Sequence, residues 1–436
     1  METAAYPDWS GLPEELLAEV MRALAIPDLF LAGTVCASWR AASSGVRRVR
    51  FPITDAAPCL LYSARSDADA GAATLYSPSC GARFRVRLPD PPLRRRALVG
   101  SAHGWLATAD EASNLHLVNP LTGAQLALPP VTALHHVESL RDEEGNLVYS
   151  VHEGEGPDGP EYPDDPEDPV DPEVPVLYPA QKLRLYLYYK VVLSCSPSAG
   201  RDCVVLLLHR PDGQLSFARI GDARWTRITD QTLKWDSSYR DAFYNTKDRL
   251  FYVLSFDGSM LTLDLTGPSP VAKDILPETA PWNDPIKDLV ATPSGDMLQV
   301  WRLKETKRSD TPVDVPAEVA HEVDDPYKVS YTKEFMLFKV DFAKQKLVKI
   351  TSIGDHALFL GRNSVVCIPT KDFPMLKSDC AYLTDGFDEE MCPHKHNLRE
   401  IGIWNFKTDS LESLGMVDSS EWLNWPAPIW IKPSLH

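Results

Sequence analysis

Residues 12–40 run LPEELLAEVMRALAIPDLFLAGTVCASWR, and their spacing sets the first part of the fold. Pro13 suits a first helical turn, where its missing N–H is no loss, and Glu14 and Glu15 follow where the helix dipole favours negative charge. Leu16, Leu17, Val20, Met21 and Leu24 recur at the spacing of one apolar stripe, leaving Glu15, Glu19 and Arg22 for the other face. An amphipathic helix is expected here. Pro27 biases Ile26 out of the helical region, so this helix should close near Ala25 and a second should open around Pro27 and Asp28. Leu29, Phe30, Val35, Cys36 and Trp39 supply the apolar positions of that helix and of a short third one. Three helices in about forty residues bury little surface, so the unit is expected to lean on a partner or a second domain.

From about Phe51 the helical period gives way to short apolar or alternating runs, each closed by Gly, Asn, Asp or Pro. Gly104 to Thr108 and Leu115 to Val118 lead through the turn Asn119-Pro120-Leu121-Thr122-Gly123 to Gln125–Leu128. The same grammar returns at Cys203–Leu208 with Leu215–Ile220 across Pro211-Asp212-Gly213, and at Arg249–Ser255 with Met260–Leu265. It returns again over Asp288–Leu303, Phe335–Ile350, and Ile401–Phe406 with Leu411–Leu414. Irregular repetition of small antiparallel units predicts a β-propeller, whose blades bury their faces only against neighbours. Setting aside residues 1–50 and two insertions, 153–175 and 304–326, leaves about 340 residues. At roughly 45–50 per blade this gives seven blades, or six. A two-sheet sandwich is the competing architecture, but a single sandwich seldom needs so much chain. The expected organisation is a small all-α domain over 1–50 and a large all-β domain over 51–436.

The chain has 436 residues, 44% of them hydrophobic, enough for a large core. A formal charge of −17 opposes broad attraction to nucleic acid or anionic membrane. METAAYPDWS lacks the form of a signal peptide, and no segment approaches the uncharged length needed to span a bilayer. A soluble protein of the cytoplasm, the nucleus or both is expected. The eight cysteines lie far apart with no Cys-x-x-Cys pair, which predicts reduced core thiols.

Two resemblances follow from particular residues. Leu12-Pro13, the Leu16/Val20/Leu24 stripe, Pro27-Asp28-Leu29, Val35-Cys36 and Trp39-Arg40 together resemble an F-box. The alternative, a helical cap on a larger fold, would not require Val-Cys and Trp-Arg at these offsets. Asp355–Asn363, Cys367, the segment from Phe373-Pro374 to Cys380–Asp385, and the ending Pro428–Leu435 are similar to the C-terminal domain of a large plant F-box family. That domain is described as a kelch-like, KIB-type propeller, and an F-box followed by it is the family's usual layout. The first resemblance implies docking to the Skp-type adaptor of cullin-RING ubiquitin ligases. Leu12, Pro13, Leu16, Leu17, Val20, Leu24, Pro27, Leu29, Val35 and Trp39 would form or support that surface.

Other motifs are weaker. Glu153–Pro175 carries a proline at every third position from 157 to 175 and ten acidic residues with no basic one. Three residues per turn suits polyproline II, so an extended, solvated insertion is expected, with docking of a basic or proline-binding partner as the functional alternative. Lys304–Pro326, with mixed charge and no apolar period, is expected to be a solvated loop. Cys392, His394 and His396, with Cys380, offer soft ligands, but their spacing matches no common zinc pattern, so a surface loop is expected. The acidic run Asp385–Glu390 lacks the ligand order of a calcium loop. No nucleophile elbow, Walker loop, zincin or dinucleotide motif is present. His103, His135 and His136 are expected to be structural or superficial, and Arg94-Arg95-Arg96 is too short to argue for nucleic acid. Most of the β-region tryptophans should be core.

The expected function is therefore a non-catalytic, cofactor-free substrate-recognition subunit of a Skp–cullin–F-box ligase. Its β domain would hold an unidentified target protein. The alternatives are an F-box binding protein that inhibits without ubiquitin transfer, and a propeller enzyme or sugar binder with a helical appendage.

Overall fold

The computed structural model describes residues 9–24, 28–29, 32–50, 57–63, 71–152, 175–211, 214–229, 233, 239–279, 285–310, 327–384, 400–414 and 426–435. Helices dominate up to residue 50 and strands thereafter. Helix α1 spans Glu14–Ala23, with Pro13 at its N-cap and Leu17 N donating to Pro13 O at 3.0 Å. Asp28, Leu29 and Ala32 are helical, while Pro27 and Phe30 lie outside the described residues. The third helix, expected to be short, is instead the longest among the described residues: α2 covers Ala37–Arg50. Its Ser43-Ser44-Gly45 centre has poor helix propensity, and tertiary contacts override it: Ala42 is buried and Ser43 Oγ donates to Leu29 O at 2.6 Å.

Among the described residues the strands form seven sheets, numbered here in chain order. Sheet I joins β28 (Ile429–Ile431) to β1 (Cys59–Tyr62), β2 (Ala72–Ser77) and β3 (Ala82–Arg87). Sheet II is β4 (Ala97–Ala102), β5 (Trp105–Ala109), β6 (Leu115–Val118) and β7 (Gln125–Ala127). Sheet III has three strands, β8 (Val137–Arg141), β9 (Leu147–Val151) and β10 (Val176–Pro179), followed by the short helix α3 (Ala180–Tyr186). Sheet IV is β11 (Tyr188–Leu193), β12 (Val204–His209), β13 (Gln214–Arg219) and β14 (Thr226–Arg227). Sheet V is β15 (Tyr239–Asn245), β16 (Leu250–Ser255), β17 (Met260–Asp264) and β18 (Val271–Leu276). Sheet VI is β19 (Ile286–Ala291), β20 (Met297–Arg308), β21 (Lys328–Asp341) and β22 (Lys346–Ile350). Sheet VII places β23 (His356–Leu360) between β24 (Val366–Pro369) and β25 (Cys380–Leu383), followed by β26 (Gly402–Asn405) and β27 (Ser410–Glu412).

Successive side chains of a strand point to opposite faces, and in inner strands such as β1 and β12 both faces are covered. Leu61 packs with sheet II, while its neighbour Leu60 packs with sheet VII. Leu207 faces sheet II and Leu206 faces sheet V. Sheets V and VI share a cluster around Leu254 and Leu289, and sheets VI and VII share one around Val300 and Leu358. Apolar contact thus passes from I to II, IV, V, VI and VII and back to I. Sheet III adds Val137, Tyr149 and Val151 to the cluster between II and IV. The domain is mostly β with few helices, consistent with a β-propeller and not with a two-sheet sandwich. Double burial also explains runs such as CLLY and VVLLLH, which are wholly apolar rather than alternating.

The first and last strands meet in sheet I, where Leu60 pairs with Trp430. Ser101 Oγ donates to Trp430 O, and Asn119 Nδ2 to Ser434 O at 3.0 Å. This tail passes so close to Gly104, at φ +82°, that a Cβ there would meet Ser434 N at 2.7 Å. Only glycine fits both the conformation and the approach.

Residues 304–308, expected to be loop, instead continue β20 and pair with Lys328–Thr332. The alternation of Lys, Glu, Thr, Lys and Arg carries no apolar period, yet the hairpin arm forms because cross-strand contacts such as Tyr331 Oη to Glu305 at 2.8 Å replace core burial. Residues 153–174 and 311–326, Asp212-Gly213, Cys392, His394, His396, Asp385–Glu390 and Trp235, Trp282, Trp422 and Trp425 lie outside the described residues.

Candidate functional site

The helical end divides the apolar residues of α1 into two rows. Leu17 and Met21, one turn apart, are buried together with Leu29, Ala32 and Ala42, and Leu12, Leu24, Trp39 and Val46 pack around them. Leu16 and Val20 form the second row, 53% and 38% exposed. Val35, 64% exposed, and Pro13 also face solvent. Of the ten residues singled out from the sequence, Pro27 lies outside the described residues and the other nine separate by role. Leu17 and Leu29 are core, Leu12, Leu24 and Trp39 are half-buried supports, and Pro13, Leu16, Val20 and Val35 are free to contact another surface. Trp9, which the sequence reading passed over, is 59% exposed, and its carbonyl accepts from Trp39 Nε1 at 3.0 Å. An exposed tryptophan before Leu-Pro was its only signal.

The β domain holds a second concentration of polar groups, where β11, β15 and β19 of sheets IV, V and VI run side by side. Lys190 and Asp241 form a buried ion pair. Asp241 also accepts from Ala242 N at 2.7 Å and, through its other oxygen, from Leu289 N at 2.8 Å. Register shifts at Tyr188/Lys190 and Tyr239/Asp241 set these two residues at matching places on their strands. Asp288 lies beside them, and burial, then the Asp241 charge, raise its pKa to about 7 against the pull of Lys190, Arg302 and Arg240. Arg302 is held by Thr332 Oγ1 at 2.7 Å, Thr384 O at 3.1 Å and Glu400 at 2.6 Å. Arg302 and Asp241 spend their hydrogen bonds on the protein itself, so this network joins sheets rather than presenting a reactive group.

The remaining candidates are structural. Arg96, part of the short basic cluster Arg94-Arg95-Arg96, is fully buried and donates to Pro91 O, Pro89 O, Thr108 Oγ1 and Gln125 Oε1. Burial pushes the thiols of Cys59 and Cys203 up to about 12 and that of Cys380 to about 11, whereas Cys80 is exposed rather than core. Tryptophans 105, 225, 301, 404 and 430 are buried. His136 is buried and stacks on His209. Among the described residues, no group of three His, Cys, Asp or Glu is placed to hold a metal ion, and no helix is long and apolar enough to cross a membrane. A cleft of about 340 Å³ lies over sheet V, lined by Tyr239, Ser255, Asp274, Glu278 and Gln345 among others.

Comparison with known proteins finds plant F-box proteins among the relatives and a β-propeller family model. The F-box protein SKIP23 of Arabidopsis thaliana is 23% identical, covering 97% of this chain and 95% of its own. A second protein of that plant, F-box protein At2g05970, is 22% identical over 96% of this chain and 95% of its own. F-box protein At5g25290, also from Arabidopsis thaliana, is 30% identical, but over 28% of each chain. The solved structure of YjhT aligns with a TM-score of 0.29 at 10% identity, over 64% of this chain and 77% of that one, too low to bear on the fold. The family model of the KIB1-4 β-propeller matches residues 75–405. With that domain and these relatives, the chain belongs to the KIB1-4 β-propeller family of plant F-box proteins.

Proposed function

We propose that this protein is the substrate-recognition subunit of a Skp–cullin–F-box ubiquitin ligase. Residues 1–50 dock the Skp-type adaptor, and residues 51–436 hold a target protein. The observation that carries the reading is the double row on α1: Leu17 and Met21 close the core, while Leu16 and Val20 stand ready on the outside. An apolar row left exposed on a small helical unit is what a helix-to-helix partner would cover. The chain performs no bond chemistry. It raises the effective concentration of a target lysine near a conjugating enzyme held elsewhere in the complex. The cyclic sharing of clusters supports a propeller of six blades, sheets I, II, IV, V, VI and VII, with sheet III as an insert between II and IV.

Full-length protein carrying Leu16→Asp and Val20→Asp is expected to lose co-purification with a Skp-type adaptor while its melting temperature stays unchanged. Leu16→Ala alone should weaken binding by about 1–2 kcal/mol, roughly five- to thirty-fold. Undiminished co-purification of the double variant would overturn the assignment. Reconstitution with the complete ligase then separates ubiquitin transfer from simple sequestration.

A further inference from the structure

Sheet III stands outside the cyclic order of apolar contacts and is held from two sides. On the sheet II side, Tyr149 Oη donates to Ala112 O at 2.7 Å. On the sheet IV side, the stretch leading into β8 sets the ring of His136 flat on that of His209 at the end of β12, centroids 5.2 Å apart and 3° from parallel. His136 is 4% exposed and His209 1%. The same stretch is tied to the sheet by His152 N donating to His136 O at 3.0 Å.

We propose that the His136–His209 stack is an acid-sensitive latch that fastens sheet III to sheet IV and opens when the imidazoles take up protons. In the neutral state His209 is satisfied at both nitrogens. Nδ1–H donates to Arg210 O at 2.8 Å, so Nε2 accepts from Ser216 Oγ at 2.9 Å. Neither ring nitrogen of His136 makes a well-aligned hydrogen bond among the described residues; the nearby acceptor, Arg210 O, is already taken by His209. A proton on either ring creates a buried charge that the two imidazoles can offset only through the single Arg210 carbonyl.

The charged groups acting on the stack are all of one sign. His135 stands beside His136 at 4.7 Å on the same stretch, and Arg227 approaches from β14. Arg210 follows His209, its guanidinium stacked over Tyr186 of α3 at 4.3 Å and facing Tyr189 of β11 at 5.4 Å. Ser216 is the facing group of β13. Burial first, then His209, His135 and Arg227, hold His136 down to about 2 against the opposing pull of the Arg210 carbonyl. Burial, with His135 and Arg227, holds His209 down to about 4. Released from the stack, both return toward the ordinary value of about 6.5, so protons favour the open form as pH falls through 6.5. Each imidazole contributes about tenfold per pH unit to the opening equilibrium, and the pair about a hundredfold, down to the value of His209.

Amide hydrogen exchange of the full chain, followed by mass spectrometry and expressed as protection relative to the unfolded peptide, tests this between pH 7.5 and 5.0. Protection over 137–151 is expected to fall steeply below pH 6.5 while that over 250–264 in sheet V holds. His136→Phe keeps an aromatic ring in the stack without a titrating group, and His209→Gln serves if that variant misfolds. Either should roughly halve the logarithmic slope, and the double variant should abolish it. Loss of protection in step across both segments, or an unchanged slope in the double variant, would overturn the latch.

Discussion

Asp241 ties together three strands from three sheets, so its removal should be felt throughout the domain. Asp241→Ala strands the Lys190 ammonium in the interior and frees Leu289 N. A loss of about 3–5 kcal/mol is expected in urea unfolding, and a loss below about 1 kcal/mol would show that the pair is merely tolerated. Asp288 acts in the opposite sense. Its folded pKa of about 7 exceeds the ordinary 3.8, so its favourable contribution is complete below 3.8 and is lost as pH rises through 7. Asp288→Asn is therefore expected to be more stable than the parent at pH 8 and to lose that advantage by pH 4, as read from melting temperatures across the range. Neither role was legible beforehand, because a lysine or aspartate in a short strand reads as solvated until its neighbours are known. Leu16 and Leu17 make the same point on α1. The stripe formed by residues 16, 17, 20, 21 and 24 spans more than about a third of the helix circumference, and its spacing does not say which edge faces inward.

Among the elements, β28 has the greatest leverage. It is three residues long, yet it completes sheet I by pairing with β1, and Trp430 within it is fully buried against Phe359 and Tyr382 of sheet VII. Trp430→Ala should cost about 3–5 kcal/mol, measured by chemical denaturation. Truncation before Pro426 leaves the apolar edge of β1 unpaired, and concentration-dependent aggregation by light scattering is the expected result. A truncated chain that stays monomeric and melts like the parent would refute this role. Most strands were legible from turn chemistry, as with β5 to β7 around Asn119–Gly123. The hairpin arm of β20 and β21 was not, because its stability lies in cross-strand pairs rather than in an apolar period. The length of α2 was obscured for a related reason: Ser43 serves it through a bond to Leu29 O, which no local propensity encodes.

At the scale of the molecule, the shared clusters make the two faces of every sheet except III depend on different neighbours. Unfolding of the proposed six-blade ring should accordingly be cooperative, with sheet III as the part able to open alone. The charge of −17 is unevenly spread: residues 153–175 hold ten acidic side chains without a basic one, so the remainder is much nearer neutrality. By itself the sequence determined the order of the two parts, helical then β, together with the F-box resemblance and the repeating unit, because helical period, strand alternation and turn residues act over a few neighbours. Only the tertiary structure decided which row of α1 is left outside, that the last strand closes the first sheet, that Lys190, Asp241 and Asp288 converge, and that His136 lies on His209. Each of these joins residues far apart in the chain. Their contacts follow from the order in which sheets pack, a property of the whole assembly that no window of sequence contains.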